Sequence, residues 1–188
     1  MKKILTPTVL ILLCTVFIAA IPTEAEGAIY EDTVRLHILA NSDSENDQAV
    51  KLLLRDEILK KYGKRLSVFE GVDHAKDELS EILPDIKEFS DGVLSDIGYP
   101  AECTVTLTEE WYDTRKYENF TLPCGYYTSL RILIGEGEGQ NWWCVMFPPL
   151  CLDVATTESK YTPEEEFLIT KKYNVKFKIL ELVSEIAR

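Results

Sequence analysis

The stretch from Leu122 to Asp153 constrains the fold of this chain more than any other segment. Two apolar runs, from Tyr127 to Ile134 and from Trp142 to Phe147, flank a loop that contains three glycines and two glutamates. Apolar runs rich in β-branched and aromatic residues predict strands, and a glycine-containing loop between them predicts a β-hairpin. Pro148 and Pro149 end the second strand, because proline donates no hydrogen bond to a sheet ladder.

The remaining apolar patterns predict two more strands and three helical regions. Alternating apolar residues predict strands at residues 33–40 and 103–108. Apolar residues three and four apart predict helices that end at Gly63 and Gly98 and a last helix that begins at Asn174. The order β-α-α-β-β-β-α has no regular βαβ alternation. It predicts an α+β fold with two layers, a mainly antiparallel sheet of about four strands with helices packed on one face.

Local signals mark where the predicted helices begin. Two overlapping patterns, Ser42 with Glu45 and Ser44 with Asp47, are both typical of a helix N-terminus, and either can start the first helix. Pro84 falls inside the second helical region, where it predicts either a kink or a fresh start.

The N-terminus has the pattern of a secretory signal. Lys2 and Lys3 precede an apolar run that ends at Ile21, and small residues follow near Ala25. We predict a signal peptide at residues 1–25, and an uncleaved N-terminal anchor is the alternative, although the run is short for a membrane helix of about 20 residues. Three segments are expected after it: an α+β domain at 29–153, a polar linker at 154–173 and a C-terminal helix at 174–188.

The formal net charge of −12 excludes several kinds of partner. Nucleic acids and anionic membrane surfaces bind cationic residues, which displace their counterions. We therefore expect no nucleic-acid partner. Membrane contact is expected only through the N-terminal segment or through a membrane-bound receptor.

Four cysteines follow the predicted signal peptide, and an even number in an exported chain favours disulfides. The preferred pair is Cys144 with Cys151, which leaves Cys103 with Cys124. The spacing of Cys144 and Cys151 lacks the close Cys-x-x-Cys doublets of zinc sites and redox motifs. The alternative is that some of these cysteines are small buried apolar residues.

The loop between the last two predicted strands is a candidate partner-binding patch. Glu136 and Glu138 contribute nothing obvious to folding there, and such conflicts with local rules tend to mark functional sites. The loop does not suit phosphate, because it joins strand to strand and carries two acids and no lysine. Gln140 and Asn141 complete the loop.

Two adjacent tryptophans follow that loop. Within a strand, Trp142 and Trp143 must point to opposite faces. If one face is core, the other indole is exposed, and exposed tryptophan is enriched at binding hot spots. The alternative is that a helix covers it. The candidate partner-binding residues are therefore Glu136, Glu138, Gln140, Asn141, Trp142 and Trp143.

No catalytic, metal or cofactor site is predicted. Ser42 lacks the Gly-x-Ser-x-Gly elbow of a nucleophile and serves better as a helix cap. His37 alternates with buried strand positions, which suits a structural residue at the strand-to-helix turn. With His37 and His74 as the two histidines, a histidine-rich metal site is excluded. A secreted hydrolase of cell-envelope material, with His37 and a neighbouring acid as catalyst, is the alternative function.

Two long segments resemble the signature blocks of the stage II sporulation protein R family. The first runs from Arg35 to Asp43 and continues through Asp47-Gln48, Lys51-Leu52 and Arg55-Asp56, and the second runs from Ile134 to Cys151. The resemblance extends from about Val34 to Asp153. Its first block contains a polar motif to which we assign a structural role: Arg35, His37, Asn41, Asp43 and Asp47.

The resemblance implies a signalling protein, not an enzyme, that is made in the forespore of an endospore-forming bacterium. It implies export into the space between the forespore and mother-cell membranes, where the protein activates a membrane-bound aspartic protease that processes a precursor sigma factor. No cofactor, small-molecule substrate or catalytic residue is implied. Cys124 departs from the family pattern, which usually has a small residue there, so a Cys103–Cys124 pair is expected to be a local addition.

Overall fold

The computed structural model describes residues 7, 8, 10, 11, 13–15, 24–68, 71–117 and 120–148 of the 188-residue chain. Several predicted features lie outside the described residues: most of the signal segment, Cys151, the linker at 154–173 and the helix at 174–188. The elements in chain order are α1 (Glu24–Glu31), β1 (Val34–Leu39), α2 (Glu45–Ile58), a π-helical turn (Leu59–Gly63), α3 (Lys64–Ser67), α4 (Val72–Asp96), β2 (Cys103–Tyr112), β3 (Arg115–Lys116), β4 (Thr121–Leu122), β5 (Gly125–Ile134) and β6 (Asn141–Phe147).

The main sheet has the strand order β2-β5-β1-β6. β1 is an interior strand that pairs in parallel with β5, with Val34 opposite Thr128 and Leu39 opposite Leu133. On its other edge β1 pairs antiparallel with β6, where Leu39 lies opposite Asn141. The predicted α+β fold, with a mainly antiparallel sheet and helices packed against it, is confirmed.

The predicted hairpin is wrong, although both of its strands are present. β1 lies between β5 and β6, so these two strands do not pair with each other. The connection from Gly135 to Gln140 crosses the carboxyl end of β1 instead of closing a turn. Its six residues are enough to cross two interstrand spacings of about 4.8 Å each, which a two-residue hairpin turn could not do.

All of β1 is buried, whereas the sequence predicted only one buried face. Leu36 and Ile38 join the apolar cluster shared with the helices. Arg35 and His37 point to the opposite face, because side chains alternate along a strand. Arg35 is completely buried, and its guanidinium lies 5.1 Å from the centre of the Tyr127 ring.

The apolar core lies between the sheet and the two longer helices. α2 contributes the stripe that its spacing predicted, Val50, Leu54 and Ile58. α4 contributes a second stripe: Val72, Ala75, Leu79, Ile82, Ile86 and Leu94. Burial of these two faces against β1 and β5 is the largest source of stability in the fold.

α2 begins after Ser44. The Ser44 Oγ accepts a hydrogen bond of 3.1 Å from the backbone N–H of Asp47, so the second of the two predicted capping patterns is the one used. Glu45 and Asp47 place negative charge in the first turn of α2, where it interacts favourably with the helix dipole.

One predicted helix boundary is wrong, and one of the two alternatives for Pro84 is excluded. Gly63 does not end the first helical region, because the chain continues through the π-helical turn into α3. Pro84 does not start a new helix, because α4 runs through it as one element.

The end of α4 agrees with the sequence. Gly98 has a φ of 67°, in the left-handed region where glycine is favoured. Its N–H bonds to the carbonyl of Ser95, and the N–H of Tyr99 bonds to that of Leu94 at 2.8 Å, which is a Schellman cap. The cap turns the chain back toward the start of α2.

The chain divides into two compact units. Among the described residues, the larger contains 30–68, 71–110 and 126–148, and the smaller contains 24–29, 111–117 and 120–125. The apolar core described above belongs to the larger unit. In the smaller unit, β3 and β4 form a two-stranded antiparallel sheet.

The cysteines agree only in part with the predicted pairing. Cys144 is disulfide-bonded, and its predicted partner Cys151 lies outside the described residues, so that pair stays a prediction. Cys103 and Cys124 are buried thiols, so the predicted bond between them is wrong. Burial raises the pKa of the Cys103 thiol to about 12, and the nearby charge of Asp91 acts in the same direction, which suits the alternative of a small buried apolar residue.

Candidate functional site

The connection from Gly135 to Gln140, here called the crossover loop, is held against the end of β1 by main-chain hydrogen bonds. The N–H of Gly139 bonds to the carbonyl of Ala40 at 2.9 Å, and the N–H of Glu138 bonds to that of Asn41 at 3.2 Å. These bonds extend the pairing of β1 beyond its last strand residue. The loop is therefore a fixed part of the sheet edge.

Two positions of the crossover loop require glycine, because atoms of neighbouring residues lie too close to leave room for a Cβ. A Cβ at Gly139 would overlap the backbone carbonyl of Ser42, and one at Gly135 would overlap the Asn41 side chain. Gly135 also has a φ of 57°, which disfavours other residues. The glycines of this loop thus allow it to cross β1 in contact with the following turn.

Polar side chains from the turn after β1 and from α2 form hydrogen bonds to the backbone of the crossover loop. Asn41 Oδ1 accepts the N–H of Glu136 at 3.1 Å, and Asp43 Oδ1 accepts the N–H of Gln140 at 2.8 Å. The buried amine of Lys51 donates to the carbonyl of Gln140 at 2.8 Å. The two segments that carry the family resemblance therefore bind each other directly, and together we call Asn41–Asp47 and the crossover loop the polar junction.

Asp47 is the centre of the polar junction. Its carboxylate accepts hydrogen bonds from Ser42 Oγ at 2.6 Å, Asn41 Nδ2 at 3.0 Å and Tyr99 OH at 2.8 Å. These hydrogen bonds lower the pKa of Asp47 to about 2, and the bond from Ser42 has the largest effect. Burial acts in the opposite direction but is outweighed. Burial and the bond to Asp47 raise the pKa of Tyr99 to about 12. Both groups therefore keep one protonation state across the physiological range.

The lowered pKa of Asp47 predicts a specific loss of stability in acid. An unfolded aspartate titrates near 3.9, so the folded state gains from ionised Asp47 above about pH 4 and loses that gain as the pH falls toward about 2. We expect Asp47→Asn to be less stable than wild type at pH 7, with a difference that shrinks between about pH 4 and pH 2. Urea unfolding across that range measures it. Glu81→Gln, at an exposed site on α4, is the control, and a difference for Asp47→Asn that does not change with pH contradicts the prediction.

A second polar cluster lies on the face of the sheet opposite the helices. His37 Nδ1 lies 3.0 Å from Glu110 Oε2, and its Nε2 lies 2.7 Å from Asn141 Oδ1. The imidazole stacks on Trp143 with ring centres 5.6 Å apart, and Arg131 pairs with Glu110 at 3.1 Å. His37 of β1 thus contacts β2 and β6, and Glu110 extends the cluster to Arg131 of β5.

Glu110 is the acid of this second cluster. Burial acts to raise its pKa, but hydrogen bonds from His37 and Ser129 and the charges of His37 and Arg131 outweigh that effect and lower it. The carboxyl group is therefore held ionised. It accepts the imidazole N–H and forms an ion pair with Arg131.

The two tryptophans point to opposite faces of β6, as predicted. Trp142 packs against the apolar core, and the Arg55 guanidinium lies 5.0 Å from its ring centre. Trp143 stacks on His37 on the other face. The expectation that one indole is exposed is wrong, because both are partly buried. The reason is that each ring is covered on one side by a cationic or polar side chain from a neighbouring element.

The structure brings most of the predicted site residues together. Asn41 and Asp43 bind the crossover loop, Asp47 binds Asn41, and His37 lies beside Asn141, the first residue of β6. Four predicted partner-binding residues are exposed: Glu136, Glu138, Gln140 and Asn141. Whether these residues bind a partner stays a prediction.

No role was assigned from the sequence to three residues of these clusters. Tyr99 lies in a short Gly98-Tyr99 segment that belongs to the family resemblance, whereas no local signal identifies Glu110. Lys51 does carry one signal, since it lies one turn after Asp47 on α2, next to the buried stripe at Val50 and Leu54.

The described residues carry no feature that suits a metal or a membrane span. Within them, no group of three or more His, Cys, Asp and Glu side chains could hold a metal ion. None of the helices among them is both long and apolar enough to cross a bilayer.

The fold and the polar junction define a small α+β domain that presents an acidic loop at one edge of its sheet. Hydrogen bonds to the backbone hold that loop in place. The family model for stage II sporulation protein R matches residues 30–157. A curated relative, stage II sporulation protein R of Bacillus subtilis strain 168, is 34% identical over 139 residues, which cover 73% of this chain and 62% of the relative. No solved structure matches the chain.

The chain therefore belongs to the stage II sporulation protein R family, and a role in sporulation follows from that membership. The match spans less than two thirds of the length of the Bacillus subtilis relative. The residues that match the family model include both segments of the polar junction.

Proposed function

We propose that this chain is a signalling protein that is exported from the forespore and activates a membrane-bound aspartic protease of the mother cell. The activated protease then processes a precursor sigma factor. The proposal rests on family membership and on the exposed, rigidly held crossover loop. Its site of action is the space between the forespore and mother-cell membranes.

The single observation that carries the proposal is how the crossover loop is held. Its backbone N–H groups bond inward to Ala40, Asn41 and Asp43, while the side chains of Glu136 and Glu138 face solvent. A loop fixed in this way loses little conformational freedom when it binds, which favours its use as a recognition surface. Its two exposed carboxylates suit a cationic surface on the receptor.

Charge reversal in the loop tests this contact. We expect Glu136→Lys with Glu138→Lys to abolish most processing of the sigma-factor precursor in sporulating cells, and Glu136→Gln with Glu138→Gln to reduce it only modestly, because rim charges act mainly on the association rate. The matched control is Asp77→Lys with Glu81→Lys on the exposed side of α4, which makes the same change in net charge. Equal processing by both reversed pairs contradicts the proposed contact.

A secreted hydrolase is the second candidate function, and the His37–Glu110 pair at 3.0 Å is the observation that favours it. An acid that orients a histidine is one part of a hydrolytic site. Against it, Ser42 Oγ donates to Asp47, and the second ring nitrogen of His37 contacts Asn141. Purified protein that cleaves peptidoglycan or peptide, and loses that activity with His37→Gln or Glu110→Gln, would establish the hydrolase in place of the signalling function.

A further inference from the structure

A groove lies between α2 and the turn that follows α4. It has a volume of about 660 Å³, and Asn41 and Asp47 of the polar junction form part of its lining. Its apolar lining residues are Ala49, Val50, Leu53, Ile97, Pro100 and Ala101. The groove therefore adjoins the polar junction and is distinct from the crossover loop.

Two large apolar side chains of the groove remain exposed to solvent. Leu53 is 39% exposed and Ile97 is 45% exposed, whereas the other apolar face of α2 is buried in the core. Exposed apolar side chains that line a concave surface favour a binding site over a solvated helix face.

Acidic side chains predominate in this region, where Lys87 pairs with Asp91 at 2.6 Å and lies 3.8 Å from Glu102. Asp47 is the charged residue among those lining the groove, and a neighbouring groove of about 530 Å³ on the other side of the 98–101 turn is lined by Asp91 and Glu102. Among the described residues, no lysine or arginine lines either groove. An occupant with cationic groups beside an apolar side chain is therefore the complementary one.

The wall of the groove is fixed before anything binds. The Schellman cap at Gly98 sets the direction of the turn, and the Tyr99 hydroxyl bonds to Asp47 at 2.8 Å. Pro100 further restricts the backbone there. A partner segment therefore meets a preformed surface.

We propose that this groove binds a short segment of a partner protein in which a leucine-like side chain is flanked by lysine or arginine. The apolar side chain packs between Leu53 and Ile97, and the cations face Glu102 and the acids of the polar junction. The inference rests on the proposed function in one respect: the segment belongs to the receptor that the chain activates.

The binding chemistry is tested with two synthetic probes, acetyl-Gly-Lys-Leu-Leu-Lys-Gly-amide and the same peptide with glutamate in place of lysine. We expect the lysine peptide to shift the methyl NMR signals of Leu53 and Ile97. At low salt it is expected to bind at least about fivefold more tightly than the glutamate peptide, and at high salt the difference in affinity is expected to be smaller. Leu53→Ser with Ile97→Ser is expected to weaken binding of the lysine peptide about tenfold, as for loss of an interface anchor. Val68→Ser, at a 74% exposed apolar position outside the groove, is the matched control.

Equal binding of the two peptides, no binding, or the same loss with Val68→Ser overturns the groove proposal. Processing of the sigma-factor precursor in sporulating cells separates it from the proposed function. If processing does not depend on this chain, the proposed function is wrong. If processing depends on the chain but Leu53→Ser with Ile97→Ser signals normally, only the assignment of the groove to the receptor is wrong. Loss of processing with this pair, but not with Val68→Ser, supports both.

Discussion

Replacement of Gly139 by alanine is expected to destabilise the fold by about 2–3 kcal/mol, the range for forcing extra volume into a closely packed site. The new Cβ would overlap the carbonyl oxygen of Ser42 and lie 2.9 Å from the Cβ of Ala40. The Ser42 carbonyl cannot move freely, because it accepts a hydrogen bond of 2.9 Å from Gln48 Nε2. Relief of the overlap therefore requires the crossover loop to lift from β1, with loss of the bond between Gly139 and Ala40. Urea unfolding of the purified protein measures the effect as a lower midpoint.

Gly92→Ala is the matched control for that experiment. Gly92 lies on the exposed side of α4, and a Cβ there meets nothing within 4 Å. Alanine is favoured over glycine in a helix by roughly 0.5–1 kcal/mol, so this variant is expected to be slightly more stable than wild type. An unchanged midpoint for Gly139→Ala would show that the loop is not packed against the turn as described.

Loss of the Trp142 ring is the second large effect. Trp142 packs on the apolar core beneath Arg55, so Trp142→Ala is expected to lose about 2–3 kcal/mol of stability, somewhat less than a fully buried aromatic residue. Trp143→Ala loses mainly the stacking on His37, for which about 1 kcal/mol is expected. The first variant is expected to unfold readily, whereas the second folds and fails to trigger processing of the sigma-factor precursor. Unfolding curves and the processing assay distinguish the two.

Two other outcomes have defined meanings. If both tryptophan variants unfold equally, the start of β6 is scaffold and the contact surface lies nearer Asn41–Asp47. If both fold and signal normally, the loop and the indoles are not the contact surface. Trp143→Phe is the control that retains a ring on His37, and it is expected to keep most of the stability of wild type.

The positions of the strands could be predicted from the sequence, but their neighbours could not. Alternating apolar residues identify β1, β2, β5 and β6 because the side-chain period of two is a local property. The pairing of β1 with β5 and β6 is a long-range property, and no local pattern reports it. Burial of β1 on both faces was also not predictable, because Arg35 and His37 interrupt an otherwise apolar run.

The candidate site was predictable to the same extent. The acids of the crossover loop and the polar turn after β1 stand out as unusual residues in their local setting. These two segments bind each other because the crossover loop passes over the end of β1. The predicted hairpin gave no indication of that crossing. Under that interpretation the loop glycines served only the turn, whereas Gly135 and Gly139 are also needed for clearance from Asn41 and Ser42.

The interior position of β1 has a consequence for the order in which the chain can fold. Val34 pairs with Thr128 of β5 on one side and with Phe147 of β6 on the other, so the earliest strand of the main sheet has no neighbour until β5 has been made and lacks its second neighbour until β6 has been made. Such distant pairings slow folding, because a long loop must close before they form. A chain threaded through a narrow channel from its N-terminus would thus emerge with its central strand unpaired, and the sheet could close only once Phe147 had passed. Under the proposed export from the forespore, this order of pairing would keep the main sheet from closing while the chain crosses the membrane.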